Sequence, residues 1–124
     1  MDNFLNMLFF IAIGWQASHE LDAIQQHEWR IFPFIASLNE TTGYRVFVIA
    51  HIPLFAAIIG LADDRSFQIG FDLFLIAHVG LHWLYRKHPQ FTFNNAFSQS
   101  LIVGAGLLGG LHLILLSSVT TIVL

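Results

Sequence analysis

Four apolar stretches, at residues 4–18, 44–62, 67–85 and 100–124, take up most of this chain. The last three each supply the ~20 residues a helix needs to cross the hydrocarbon layer of a membrane. Only 10% of the 124 residues are charged, against about 25% in a soluble domain, so the chain cannot assemble a water-facing surface. Five Lys and Arg against eight Asp and Glu leave no basic face for nucleic acid. The absence of cysteine excludes a disulfide-stapled scaffold. The expected fold is all-α: a single polytopic membrane domain, a four-transmembrane-helix bundle with spans at about 4–29, 44–62, 67–86 and 98–123.

The first span reaches membrane length only if its helix continues past Ser18, through His19 and Asp22, toward Trp29. The alternative is a helix that stops at Ser18. No positive n-region precedes it, which argues against a cleaved signal peptide. Residues 31–36 are too short to cross, and Pro33 disfavours helix at Phe32, so this segment is expected to lie at the interface between the first two spans. Residues 39–43 have turn chemistry. Arg30, Arg45, Arg86 and Lys87 fall in the first and third loops and only Arg65 in the second. That bias predicts cytoplasmic first and third loops and both termini outside. Residues 47–55, Phe47 to Phe55, partly repeat residues 74–82, Phe74 to His82, an offset of one span and one loop.

Histidines carry the chemistry. Counting 1.5 Å per helical residue, His51 is roughly 10 Å and His78 roughly 12 Å from the predicted cytoplasmic boundary, with Asp22 about 12 Å and His19 about 16 Å deep. His82 lies one turn from His78 on the same face, about 6 Å deep. Ionisable groups inside a bilayer are costly and face a bundle interior or a wet cavity, and a bound cation gives a whole layer of them a shared reason. With no thiolate, an N/O site suits Zn²⁺ in preference to Fe²⁺. The ligands are either His19, Asp22, His51 and His78, or His51, His78 and His82 with Asp22 left as a base. Asp22 or Glu20 is the candidate proton acceptor if the metal activates water.

The remaining polar residues have plainer expectations. His112 is read as a packing residue ahead of a distal ligand, beside the thin glycine face of 104–110. His27 and His88 are expected to be solvated, Glu28 to pair with an arginine, and Asp72 to meet Arg65 or water. Pro53 is expected to kink the second span near His51.

The motif His19-Glu20-Leu21-Asp22, with Glu28-Trp29-Arg30 and His51-Ile52-Pro53-Leu54-Phe55, resembles small uncharacterised bacterial membrane proteins of the HXXEE-motif kind. Their two adjacent acids appear here as Asp22-Ala23. The resemblance implies a short multi-span protein of the bacterial inner membrane and no particular reaction. The pair His78-x-x-x-His82 with Ser18, His19 and Asp22 is also similar to membrane zinc hydrolases of the alkaline ceramidase kind.

Three functions are open at this level. The first is a metal site, with zinc favoured, that acts on a membrane lipid as a hydrolase. The second is a redox bundle with haem between His51 and His78 or His112. The third is a non-enzymatic accessory or ion-handling subunit. A homodimer or larger membrane complex suits any of them.

Overall fold

A computed structural model describes residues 2–122, whose regular elements are all helical, with no strand among the described residues. Four helices follow in order: α1 (Asp2–Gln25), α2 (Glu40–Leu61), α3 (Arg65–Tyr85) and α4 (Ala96–Ile122). Three of them are long and apolar enough to cross a membrane: α2, α3 and α4 over Ala96–Val119. These three helices point to a membrane protein.

α1 ends at Gln25 instead of continuing to Trp29. His27 adopts a left-handed backbone, φ 55° and ψ 46°, which is uncommon outside glycine. The chain thereby reverses into a 3-10 turn at Glu28–Arg30. This reversal buries Glu28 and Trp29 instead of leaving them on a helix surface. Residues 31–37 are turns and bends, short of any span, as Pro33 leads one to expect.

α2 begins at Glu40, earlier than Tyr44. Asn39 is its N-cap, the side chain accepting from Thr42 N at 3.0 Å, so the polar residues 39–43 form a capped first turn. Asp64 caps α3 in the same way, accepting from Phe67 N at 2.7 Å. Each cap satisfies an amide that the helix leaves without a partner. Helix α2 runs unbroken through Pro53.

α4 packs against both α1 and α3. Glycine makes the close approach possible: a Cβ on Gly104 would lie 2.4 Å from Trp15 Nε1, and one on Gly106 2.4 Å from Val79 Cγ2. One apolar cluster joins Phe9, Ala12, Ile58, Phe71, Leu75 and Ala105. Another, at the opposite end, joins Ala23, Trp29, Ile31, Phe47, Phe91, Phe93 and Ile102. The first and third loops meet there, Thr92 Oγ1 donating to Gln26 O at 2.7 Å. Helix α2 is the peripheral element, burying only Gly43, Phe47 and Ile58 among its residues.

The faces of α1 divide sharply. Gln16, His19, Glu20 and Asp22 are buried, while Phe4, Met7, Phe10, Ile11, Leu21 and Ile24 are exposed. The inward face thus carries His19, Glu20 and Asp22 beside the apolar Leu5, Leu8, Phe9, Ala12 and Ala23, and turning ionisable groups inward is what a membrane helix requires.

Candidate metal centre

Three imidazoles and one carboxylate converge between α1, α3 and the 3-10 turn. One ligand atom from each of His19, Glu28, His78 and His82 lies within 4.8 Å of all the others. His19 comes from the last two turns of α1, and His78 and His82 share a face of α3 because they stand four residues apart. Glu28 is delivered by the reversal at His27. All four side chains are largely shielded: His19 is fully buried, and His82 and Glu28 are 4% and 3% exposed.

The contacts are nitrogen to nitrogen. His78 Nε2 stands 2.9 Å from His19 Nε2 and 3.1 Å from His82 Nε2. His82 Nε2 in turn stands 3.1 Å from Glu28 Oε1. A neutral imidazole nitrogen offers either one hydrogen or one lone pair, yet His78 and His82 each turn one nitrogen to two partners. No arrangement of protons gives every contact its own hydrogen. A cation does, since all four groups then present lone pairs to it. Zinc–nitrogen bonds of 2.0–2.1 Å place tetrahedral ligand nitrogens about 3.3 Å apart, close to the two separations seen here. The donor set therefore fits a metal ion.

Glu28 lies beyond the end of α1. Burial pushes its carboxyl above the ordinary carboxylate range, and the hydrogen bond and charge of His82 oppose the rise. A cation in contact would oppose it further. The outer ring nitrogens, Nδ1 of His19 and of His82, have no hydrogen-bond partner among the described residues. Phe93 closes over them, its ring centroid 4.7 Å from that of His82 and 5.7 Å from that of His19.

Of the residues expected from the sequence, His19, His78 and His82 meet. Asp22 and His51 stand outside the group. Asp22 is nearly buried and accepts from Gln26 Nε2 at 3.4 Å. His51 is held elsewhere: Nδ1 faces Phe47 O at 2.7 Å and Nε2 faces Glu20 Oε2 at 2.8 Å. The Phe47 carbonyl only accepts, so Nδ1 carries a hydrogen, and Nε2 and the carboxylate then share another. In this geometry His51 has no lone pair for a metal. Glu20 also accepts from Gln16 Nε2, so its carboxylate clamps α1 to α2.

Several plainer expectations are corrected. Asp72 bonds His112 Nδ1 at 2.7 Å, with both side chains fully buried, whereas Arg65 donates to Leu116 O. His112 is thus a hydrogen-bonded link between α3 and α4 as well as a packing residue against Phe9. The arginine near Glu28 pairs with another acid, Arg30 reaching Glu40 at 3.0 Å. His27 does stay solvated, its side chain 45% exposed, with its ring tilted against Trp29 at a centroid distance of 5.0 Å. Of the histidines considered for haem, His51 is engaged by Phe47 O and Glu20 and His112 by Asp72.

Glu28 is the group member that sequence reasoning missed as a ligand. Its only signal is proximity to the apex of a short loop, since the left-handed residue that turns it inward is a histidine, not a glycine.

A model of a family of unknown function, DUF6713, matches residues 5–119. The chain belongs to that family. No curated protein and no solved structure matches it. The matched segment contains every member of the His/Glu group and extends through all four helices.

Beside the group lies a cavity of about 200 Å³, lined by Glu28, His78 and His82 together with Ile31, Phe32, Leu81 and Tyr85. It brings an apolar approach to three of the four donors.

Proposed function

We propose that this family member is a four-span membrane protein that holds one divalent ion, zinc in preference to iron, through His19, Glu28, His78 and His82. The observation that carries the reading is the face-to-face approach of three Nε2 atoms and a carboxylate, which protons alone cannot satisfy. An all-N/O donor set of this kind suits zinc or ferrous iron. The four-span reading draws on α1: 24 residues measure about 36 Å against a hydrocarbon core of about 30 Å, and the side chains of His19, Glu20 and Asp22 are buried. The excess of Arg and Lys in the first and third loops supports a cytoplasmic-leaflet position for the centre.

The cavity favours a chemical role over a purely structural one. Were Glu28 to leave the ion to His19, His78 and His82, a bound zinc would keep an exchangeable position, lower the pKa of water toward ~7 and polarise a carbonyl. Around it, Glu28 is placed to accept a proton, and Ile31, Phe32, Leu81 and Tyr85 are placed to hold the apolar part of a substrate and keep bulk water away. The reaction class in this reading is hydrolysis of a lipid-borne ester or amide entering from the side.

Elemental analysis of detergent-purified protein tests the centre. The expected result is about one equivalent of zinc or iron, lost in His78→Ala and His82→Ala. Folded wild-type protein that takes up neither metal overturns the proposal.

A further inference from the structure

A second cavity, about 290 Å³, lies on α3 and α4 away from the approach to the His/Glu group, and His82 lines both cavities. Its polar lining is Arg86, Asn94 and Gln99. Arg86 follows the last residue of α3, Asn94 precedes α4, and Gln99 stands in the first turn of α4. Its apolar lining is Val79, Ile102 and Val103, which lie further along the helices. Val79 is seven residues from Arg86, about 10 Å along the axis. The groove therefore changes from cationic and polar at the helix ends to aliphatic inward, along the direction in which a lipid changes from headgroup to chain.

The donors at the polar end have capacity to spare. Arg86 uses Nη1 on Trp83 O at 2.6 Å, and its guanidinium lies 3.9 Å over the Trp83 ring, which leaves most of its five N–H groups. Gln99 uses one amide hydrogen on Phe93 O. The Asn94 side chain has no hydrogen-bond partner among the described residues. None of the lining residues is acidic. Trp83, 64% exposed, forms part of the wall, as amphipathic rings do at the headgroup level.

We infer that this groove binds an anionic phospholipid, its phosphate at Arg86, Asn94 and Gln99 and the start of its acyl chain along Val79, Ile102 and Val103. The aliphatic floor favours a lipid over a free phosphate ion. The inference goes beyond the metal reading and does not depend on it.

Trp83 supplies the test. Metal-free protein is reconstituted in vesicles doped with brominated phosphatidylglycerol or brominated phosphatidylcholine, and tryptophan quenching is recorded against the Trp83→Phe background. The expected result is half-quenching at about fivefold less phosphatidylglycerol than phosphatidylcholine, the scale of one cation near a membrane surface. That selectivity is lost in Arg86→Gln, kept in Arg86→Lys and unchanged in Arg30→Gln. Equal quenching by both lipids, selectivity that persists in Arg86→Gln, or displacement of phosphatidylglycerol by millimolar inorganic phosphate each overturn the assignment. If Arg86→Gln does not fold, Asn94→Leu takes its place, with the same loss expected and retention overturning.

Discussion

His78 Nε2 meets His19 Nε2 at 2.9 Å across a sequence separation of 59 residues, joining α1 to α3 through two atoms that both seek the same kind of partner. A metal between them converts a poor contact into a tie between helices. Binding to the folded state alone adds RT ln(1 + [L]/Kd), about 2.7 kcal/mol at a hundredfold excess over Kd. Zinc is therefore expected to raise the thermal midpoint of the wild type, and a chelator to reverse the rise. In His78→Ala the midpoint should not respond to zinc.

Carboxylates divide by position. Glu28→Gln is expected to weaken zinc at least about tenfold, as loss of a first ligand or its close support does, while Asp22→Asn retains the wild-type stoichiometry. Competition titration with a chromophoric chelator separates the two. Retained affinity in Glu28→Gln would remove the carboxylate from the centre.

Protons compete with the metal for the three ring nitrogens, so binding releases protons and affinity should fall as pH falls. Calorimetric titration in buffers of different ionisation enthalpy counts the protons released, and a pH-independent affinity would be incompatible with imidazole ligands.

The Asp72–His112 link is fully buried, so removing one partner strands the other. Asp72→Ala is expected to cost about 3 kcal/mol, in line with broken buried pairs. The double replacement Asp72→Leu with His112→Phe should recover much of that loss. Denaturant unfolding in mild detergent gives both values, and additive losses would show that the two groups act independently.

Glycines at the helix contacts give a stability contrast. Gly104→Ala and Gly106→Ala each drive a methyl to within 2.4 Å of a neighbouring side chain and should cost about 1–3 kcal/mol. Gly14→Ala and Gly60→Ala meet nothing within 4 Å and should be neutral or stabilising by about 0.5–1 kcal/mol. Thermal midpoints of the four variants check the order.

Much of this arrangement was legible in residue order. Apolar runs marked out α2, α3 and α4, and the four-residue spacing of His78 and His82 fixed their shared face. The depth count brought His19 near them because α1 does continue past Ser18. What could not be read was rotation and reversal. His51 belonged to the same predicted layer, but its rotation on α2 turns it toward Glu20, and depth alone is blind to that. Asp72 and His112 are 40 residues apart, and their meeting depends on how closely the glycine face lets α4 approach α3. Glu28 depended on a left-handed histidine, a conformation with no local composition signal.

His82 forms a wall common to two chambers, one beside the His/Glu group and one beneath Arg86. A single ring cannot reposition for one occupant without altering the outline of the other compartment. An occupant of the outer groove that displaced this ring would also move one imidazole of the inner group.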